Sequence, residues 1–348
     1  RISEEPFFGN LKKNIDNVKL RLSYGSLGNQ QVGYYDYIQT INTNGTMNYI
    51  FGDQKKGSYA SVSDPNSADL TWETVSTWNV GLDLGFLNNR LNLTADAYVR
   101  DTKGMQTSGK KLPGAYGANE PKQNAANLRT KGWELMLTWN DAFKLANKPF
   151  RYNLSVGLAD NTSEITKFDN PSKILSDYYV GQKLGDIWGY VVDGLFRTDE
   201  EAANYNVDQT AVNFVINTAQ VNPGLHAGDM KFVDLDGDHT ISSGSNTADD
   251  PGDRKIIGNS LPRYTYSIQG GFDWYGFDFS IYLQGVGHQD WYPGTNSVFF
   301  WGPYARPYSS FIPRDFLSQV WSPENPDAYF PRPIGYLALG NSRSLGVV

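Results

Sequence analysis

Seven stretches of this chain alternate apolar and polar residues for ten or more positions, and they fall into hairpins. The clearest hairpin runs from Thr77 to Arg100. Trp78, Val80, Leu82 and Leu84 share one parity and, after a turn at Asn88-Asn89, so do Leu91, Leu93, Ala95, Ala97 and Val99. A period of two places such residues on one face of a pleated strand. Strands of soluble domains average about five or six residues, whereas a tilted strand needs roughly 9–11 to cross a bilayer. The pattern predicts an all-β chain forming a partial transmembrane antiparallel β-barrel with long extracellular loops.

The expected strands are 18–27, 74–84, 91–102, 127–139, 150–161, 263–274 and 277–286. Connections 85–90, 140–149 and 275–276 are short, whereas 28–73, 103–126, 162–262 and 287–348 are long. Long loops are uncommon in compact soluble domains. They are usual on the outer side of membrane barrels, whose periplasmic turns are short. Seven strands is an odd number, and an open barrel leaves two edges with unsatisfied backbone groups in lipid. We therefore expect a fragment of the barrel domain, with further strands beyond it. Within 28–73, the segments from Tyr34 to Ile41 and from Met47 to Phe51 flank Asn44-Gly45 and predict a protruding hairpin with its turn there.

No apolar run approaches the roughly 20 residues of a membrane helix, so any membrane crossing must use strands. The 22 Tyr, 18 Phe and 9 Trp suit either a β-sandwich core or interfacial girdles, and Trp133, Trp139 and Trp274, near strand ends, read as girdle residues. The absence of cysteine excludes disulfide scaffolds and thiolate metal sites. A net charge of −7 leaves no basic stripe for nucleic acid. His226, His239 and His288 are scattered, and there is no phosphate loop or nucleophile elbow, so no catalysis is expected.

The most specific chemical signal is Asp234-Leu235-Asp236-Gly237-Asp238-His239-Thr240-Ile241. Carboxylates at alternate positions around a glycine, with a backbone carbonyl at Thr240, match the first half of an EF-hand loop. The bidentate acid at position 12 is missing, since Ser245 stands there, and Asp249, Asp250 or Asp253 remains to close the shell. Structural Ca²⁺ at Asp234, Asp236, Asp238, Thr240 and Asp253 is one reading. An acidic turn held by side-chain-to-backbone hydrogen bonds is the other.

Six strings in a fixed order carry a resemblance. They are Leu20-Arg21-Leu22-Ser23-Tyr24-Gly25 with Gly28-Asn29-Gln30; Asp69-Leu70-Thr71-Trp72-Glu73-Thr74; Asn127 with Lys131-Gly132-Trp133-Glu134-Leu135; Gly181-Gln182-Lys183-Leu184-Gly185 with Gly189-Tyr190, Asp193-Gly194 and Phe196; the acidic loop from Gly228-Asp229 to Asp253-Arg254-Lys255-Ile256-Ile257-Gly258-Asn259; and Trp321-Ser322-Pro323-Glu324-Asn325-Pro326 with Phe330-Pro331-Arg332. Together they resemble the SusC-like TonB-dependent outer-membrane transporters of Bacteroidota. Departures are His239, where that family often has glycine, and the extra residues 242–248.

The resemblance implies part of the C-terminal half of a 22-stranded barrel, without its N-terminal plug and final strands. It implies import of oligosaccharides, or of other nutrients such as peptides, powered through TonB. A SusD-like surface lipoprotein is the implied partner. Trp291, Tyr292, Phe299, Phe300, Trp301, Tyr304 and Tyr308 crowd one long loop. Of these, Trp291, Tyr292, Trp301 and Tyr304 are the candidate sugar-stacking residues, the alternative being that they pack the loops together. A passive porin-like barrel and a secreted all-β Ca²⁺-binding lectin or glycan-active protein are the rival readings. The regular alternation of short and long connections argues against the lectin or glycan-active protein.

Overall fold

The computed structural model describes residues 1–9, 15–29, 38–50, 52, 56–65, 67, 70–108, 113–212, 224–293, 304 and 312–333. In chain order the strands are β1 (Asn17–Asn29), β2 (Ile41–Ile50), β3 (Lys56–Val62), β4 (Glu73–Phe86), β5 (Leu91–Ser108), β6 (Lys122–Leu145), β7 (Lys148–Lys167), β8 (Asp186–Tyr190), β9 (Val192–Leu195), β10 (Met230–Phe232), β11 (Arg254–Asn259), β12 (Arg263–Trp274) and β13 (Phe277–His288). Among the described residues helix is confined to single turns, such as Asp199–Ala203, capped by the Thr198 side chain.

One seven-stranded antiparallel sheet has the order β1-β4-β5-β6-β7-β12-β13. These are the seven strands expected from the alternation, and β6 reaches 24 residues. Their registers carry a single apolar ladder across the sheet. Leu20, Leu82, Ala95, Leu135, Leu158 and Tyr266 form one rung, and Val18, Leu84, Leu93, Leu137, Val156, Ile268 and Leu283 the next. Much of this face is exposed, as in Leu22 at 71% and Leu283 at 51%. The opposite parity is mostly polar: one rung reads Lys19, Asp83, Thr94, Met136, Gly157, Ser267 and Gln284. An apolar outer face and a polar inner one are what a membrane barrel wall requires.

Aromatic residues bracket the apolar band. Toward the long loops, Tyr24 and Trp78 pair with ring centroids 4.5 Å apart, one rung beyond Trp133. Toward the short turns, rings run from Phe143 to Phe150 at 5.0 Å, from Phe150 to Phe272 at 5.3 Å and from Phe272 to Phe279 at 5.4 Å. Trp133 and Phe143 lie ten residues apart on β6. At about 3.3 Å per residue and a tilt near 40°, that step corresponds to a band roughly 25 Å tall. Trp133 and Trp274 thus take girdle positions. Trp139 lies two rungs inside the lower girdle and donates its indole N–H to the Tyr152 hydroxyl at 3.1 Å.

Several boundaries differ from the sequence expectation: at the long-loop end β5 runs on to Ser108, β6 begins at Lys122 and β7 runs on to Lys167, and two turns are also placed differently. The β6–β7 connection is two residues, Ala146 and Asn147, rather than 140–149. Positive φ at both (50° and 61°) gives the primed turn whose twist suits long hairpins. The β12–β13 turn at Tyr275 and Gly276 has the same character, with φ of 51° and 87°. In the protruding ribbon, β2 pairs with β3, and Gly45 is an in-strand residue opposite Tyr59. The Tyr59 ring fills the space a Gly45 side chain would take. β2 continues through Asn44-Gly45 to Ile50, which pairs with Lys56 at the start of β3, so the expected turn at Asn44-Gly45 is corrected; the residues from Tyr34 to Tyr37 fall outside the described set.

A second compact unit comprises residues 172–177, 185–261 and 289–348. In it β8 pairs with β11 and β9 with β10. Its core contains Tyr190, Val212, Met230, Phe232, Ile241, Tyr304 and Val320. Two strings far apart in sequence clamp together here. Arg332 donates to both Asp229 oxygens at 2.8 and 3.1 Å, and the Trp321 ring lies where a Gly228 side chain would stand.

Candidate functional site

The inner face of the sheet carries a charged cluster built from three strands. Arg21 on β1 donates to both oxygens of Asp83 on β4 (3.0 and 3.0 Å) and of Asp96 on β5 (2.9 and 2.7 Å). Cross-strand register dictates this: Arg21, Gly81 and Asp96 are direct neighbours on one rung. The guanidinium fills the space over Gly81, where an added Cβ would come within 2.6 Å of Arg21 Cζ. Glu134 occupies the next position of the rung, and its carboxylate is exposed. Tyr98 lies in the same manner over Gly132. The sequence reading missed this cluster as a unit. Its signal was available in the charged residues of inward parity, but pairing them requires the register.

In the second unit, the acidic loop brings carboxylate oxygens of Asp234, Asp236 and Asp253 within 4.8 Å of one another. Asp253 is fully buried and accepts the N–H groups of Leu235 and Ser242, each at 2.7 Å. Asp234 accepts Gly237 N–H at 2.7 Å and His239 N–H at 2.9 Å. His239 adopts a φ of 65°, the left-handed conformation for which glycine is the usual residue. Asp238 stands outside the converging trio and accepts the Thr240 N–H at 2.7 Å. Thr240 forms a parallel bridge with Asp208.

The electrostatics of the trio are uneven. The Asp238 N–H draws the Asp236 pKa down, but desolvation and the charges of Asp253, Asp238 and Asp234 together raise it above the ordinary value. For Asp234, desolvation is outweighed by the N–H groups of His239 and Gly237, so its pKa is lowered. Hard oxygens this close are compatible with a Ca²⁺ shell, whose ligands lie at roughly 2.3–2.6 Å from the ion.

Of the candidate stacking residues, Trp291 is 67% exposed and Tyr292 is 38% exposed. Trp301, with Phe299, Phe300 and Tyr308, lies outside the described residues. Tyr304 is corrected. It is only 2% exposed, packs against Phe316 and Phe330, and donates its hydroxyl to the Pro331 carbonyl at 2.6 Å. A ring so enclosed is a core residue, and burial pushes its phenol pKa up.

Sheet order, apolar band, girdles and polar inner wall define a segment of an outer-membrane β-barrel, and residues 10–311 match the TonB dependent receptor-like β-barrel family. The chain belongs to that family. It is 31% identical over 296 residues to the TonB-dependent receptor SusC of Bacteroides thetaiotaomicron, covering 82% of this chain and 26% of SusC. It is 29% identical over 304 residues to the TonB-dependent receptor P39 of Formosa agariphila, covering 81% of this chain and 28% of that receptor. The RagAB peptide transporter shares the fold, with a TM-score of 0.61 over 92% of this chain and 32% of the transporter chain, at 19% identity. The chain thus spans about a quarter to a third of the proteins it matches.

Proposed function

We propose that the protein containing this chain is the barrel component of a SusC/SusD-type complex, importing oligosaccharides or peptides across the outer membrane. TonB supplies the energy through a part of the protein beyond this chain, and a SusD-like surface lipoprotein is the partner. The observation that carries this reading is the 31% identity to SusC along most of the chain, on a sheet with a membrane barrel's two faces. The family is one of transporters and receptors, and no catalytic role is assigned to this chain. Deleting the parent gene should abolish growth on one oligosaccharide or peptide source while leaving monosaccharide growth intact. Unimpaired growth and uptake across a panel of both would overturn the proposal.

We further propose that Trp291 and Tyr292 contact the imported ligand and that the acidic loop holds a structural Ca²⁺ through Asp234, Asp236 and Asp253. Support for the cation comes from the spacing of the carboxylates, their convergence and the raised pKa of Asp236. Adding Ca²⁺ to the chelated full-length protein should raise its melting temperature, and Asp236→Asn should remove that increment. An unchanged melting temperature would sink the assignment.

A further inference from the structure

At the short-turn end of the sheet, an ammonium stands without a carboxylate partner beside an aromatic shelf. Lys148, the first residue of β7, pairs across the hairpin with Leu145 on the lipid-facing parity. Its Nζ lies 5.0 Å from the centroid of the Tyr275 ring. The next hairpin is held against this one by the Trp274 indole N–H, which donates to the Leu145 carbonyl at 3.3 Å. At this end Arg90 is paired with Asp141 at 3.3 Å and Arg151 with Asp273 at 3.9 Å, whereas Lys144, opposite Pro149 on the inward parity, has no ion pair among the described residues. Among the described residues Lys148 has no ion pair, and the Tyr275 hydroxyl has no hydrogen bond.

Depth gives these groups a meaning. Phe143, Phe150, Phe272 and Phe279 form the lower girdle, and Lys148 lies two residues beyond Phe150 on the same parity. Two residues of tilted strand descend roughly 5 Å, which is the step from the edge of the hydrocarbon to the headgroup layer. Phe143, Tyr275 and Phe277 are 51%, 67% and 68% exposed, leaving a shelf open to lipid on that side.

We infer that Lys148 and Tyr275 bind the phosphate of a phospholipid in the periplasmic leaflet, with its acyl chains along the Phe143, Phe150 and Phe277 shelf. Lys148 supplies the charge and the Tyr275 hydroxyl a hydrogen bond, and an anionic headgroup is favoured because the ammonium has no internal counterion. The inference rests on the membrane-barrel reading of the sheet.

The test uses the full-length parent protein, exchanged into vesicles of phosphatidylethanolamine with a minority of phosphatidylglycerol, then extracted for native mass spectrometry. The wild type should retain phosphatidylglycerol, and Lys148→Ala should lower the retained fraction about fivefold, the ratio expected for one lysine near an anionic surface. Lys148→Arg should restore it and Tyr275→Phe should lower it by less. Lys144→Ala, on the opposite parity, should change nothing. Equal retention by wild type and Lys148→Ala would overturn the site, as would an equal loss in Lys144→Ala. Heat-modifiable gel migration of each variant separates the two failures: a wild type without that shift strikes at the barrel, whereas shifted variants with unchanged lipid strike at the site alone.

Discussion

Arg21 illustrates how one side chain comes to depend on a missing one. Its four hydrogen bonds to Asp83 and Asp96 exist because Gly81 leaves the guanidinium room to lie against the wall. Gly81→Ala should displace it, lowering stability by about 1–3 kcal/mol, the usual cost of forcing a methyl into a filled space. The midpoint of urea unfolding, read by heat-modifiable migration of the full-length protein, checks this. In the acidic loop the sign of the pH effect follows from Asp236. Its folded pKa is raised, so its charge disfavours the cation-free loop at neutral pH, and that penalty fades as pH falls through the raised value. Asp236→Asn should therefore raise the melting temperature of the chelated protein at pH 7, with an effect that shrinks as pH falls and disappears below the ordinary carboxylate range. At this scale the sequence was partly readable. The D-x-D-G-D spacing pointed to the loop and to Asp253 as one of three closing acids. Arg21 and Tyr304 were opaque because pairing and burial depend on register and on distant chain: Tyr304 meets Phe330 from a separate string.

The hairpins were legible in their strands and less so in their turns. Period-two alternation survives in β4, β12 and β13 almost to their ends, and the sequence reading placed those strands within two residues; β5 was read only to Thr102 and continues to Ser108 past register shifts at Thr102 and Met105. It stopped β6 at Trp139, since Asn140, Asp141 and Pro149 look like loop residues. Those residues continue the ladder, with Asn140 opposite Asn153 and Lys144 opposite Pro149, because at a girdle polar and aromatic side chains are equally at home. The two-residue turn leaves Ala146 at a φ of 50°, a conformation that costs a residue with a Cβ roughly 1–2 kcal/mol. Ala146→Gly should stabilise the β6–β7 hairpin by about 1 kcal/mol, seen as a slower unfolding rate in urea. Asn44-Gly45 misled in the opposite direction: a good turn dipeptide was absorbed into a strand, with Tyr59 covering the glycine.

The sheet as a whole presents an apolar face much of which is exposed, with β1 and β13 at its edges. Expressed alone in water, this 348-residue chain should aggregate and be recovered as a monodisperse species only with detergent or lipid; size-exclusion chromatography decides it. The contrast between the two ends of the sheet also bears on how such a protein can change. Ala146-Asn147 and Tyr275-Gly276 have no slack, so inserting even one residue there would force a bulge or shift the second strand of that hairpin by one parity and turn its lipid-facing side chains inward. The opposite end tolerates growth, as the β2–β3 ribbon between β1 and β4 already demonstrates. An epitope grafted into that ribbon should be displayed to antibody on intact cells, whereas the same graft at Ala146-Asn147 should prevent assembly. Novelty in this architecture can accumulate at one pole only, the pole that meets the environment.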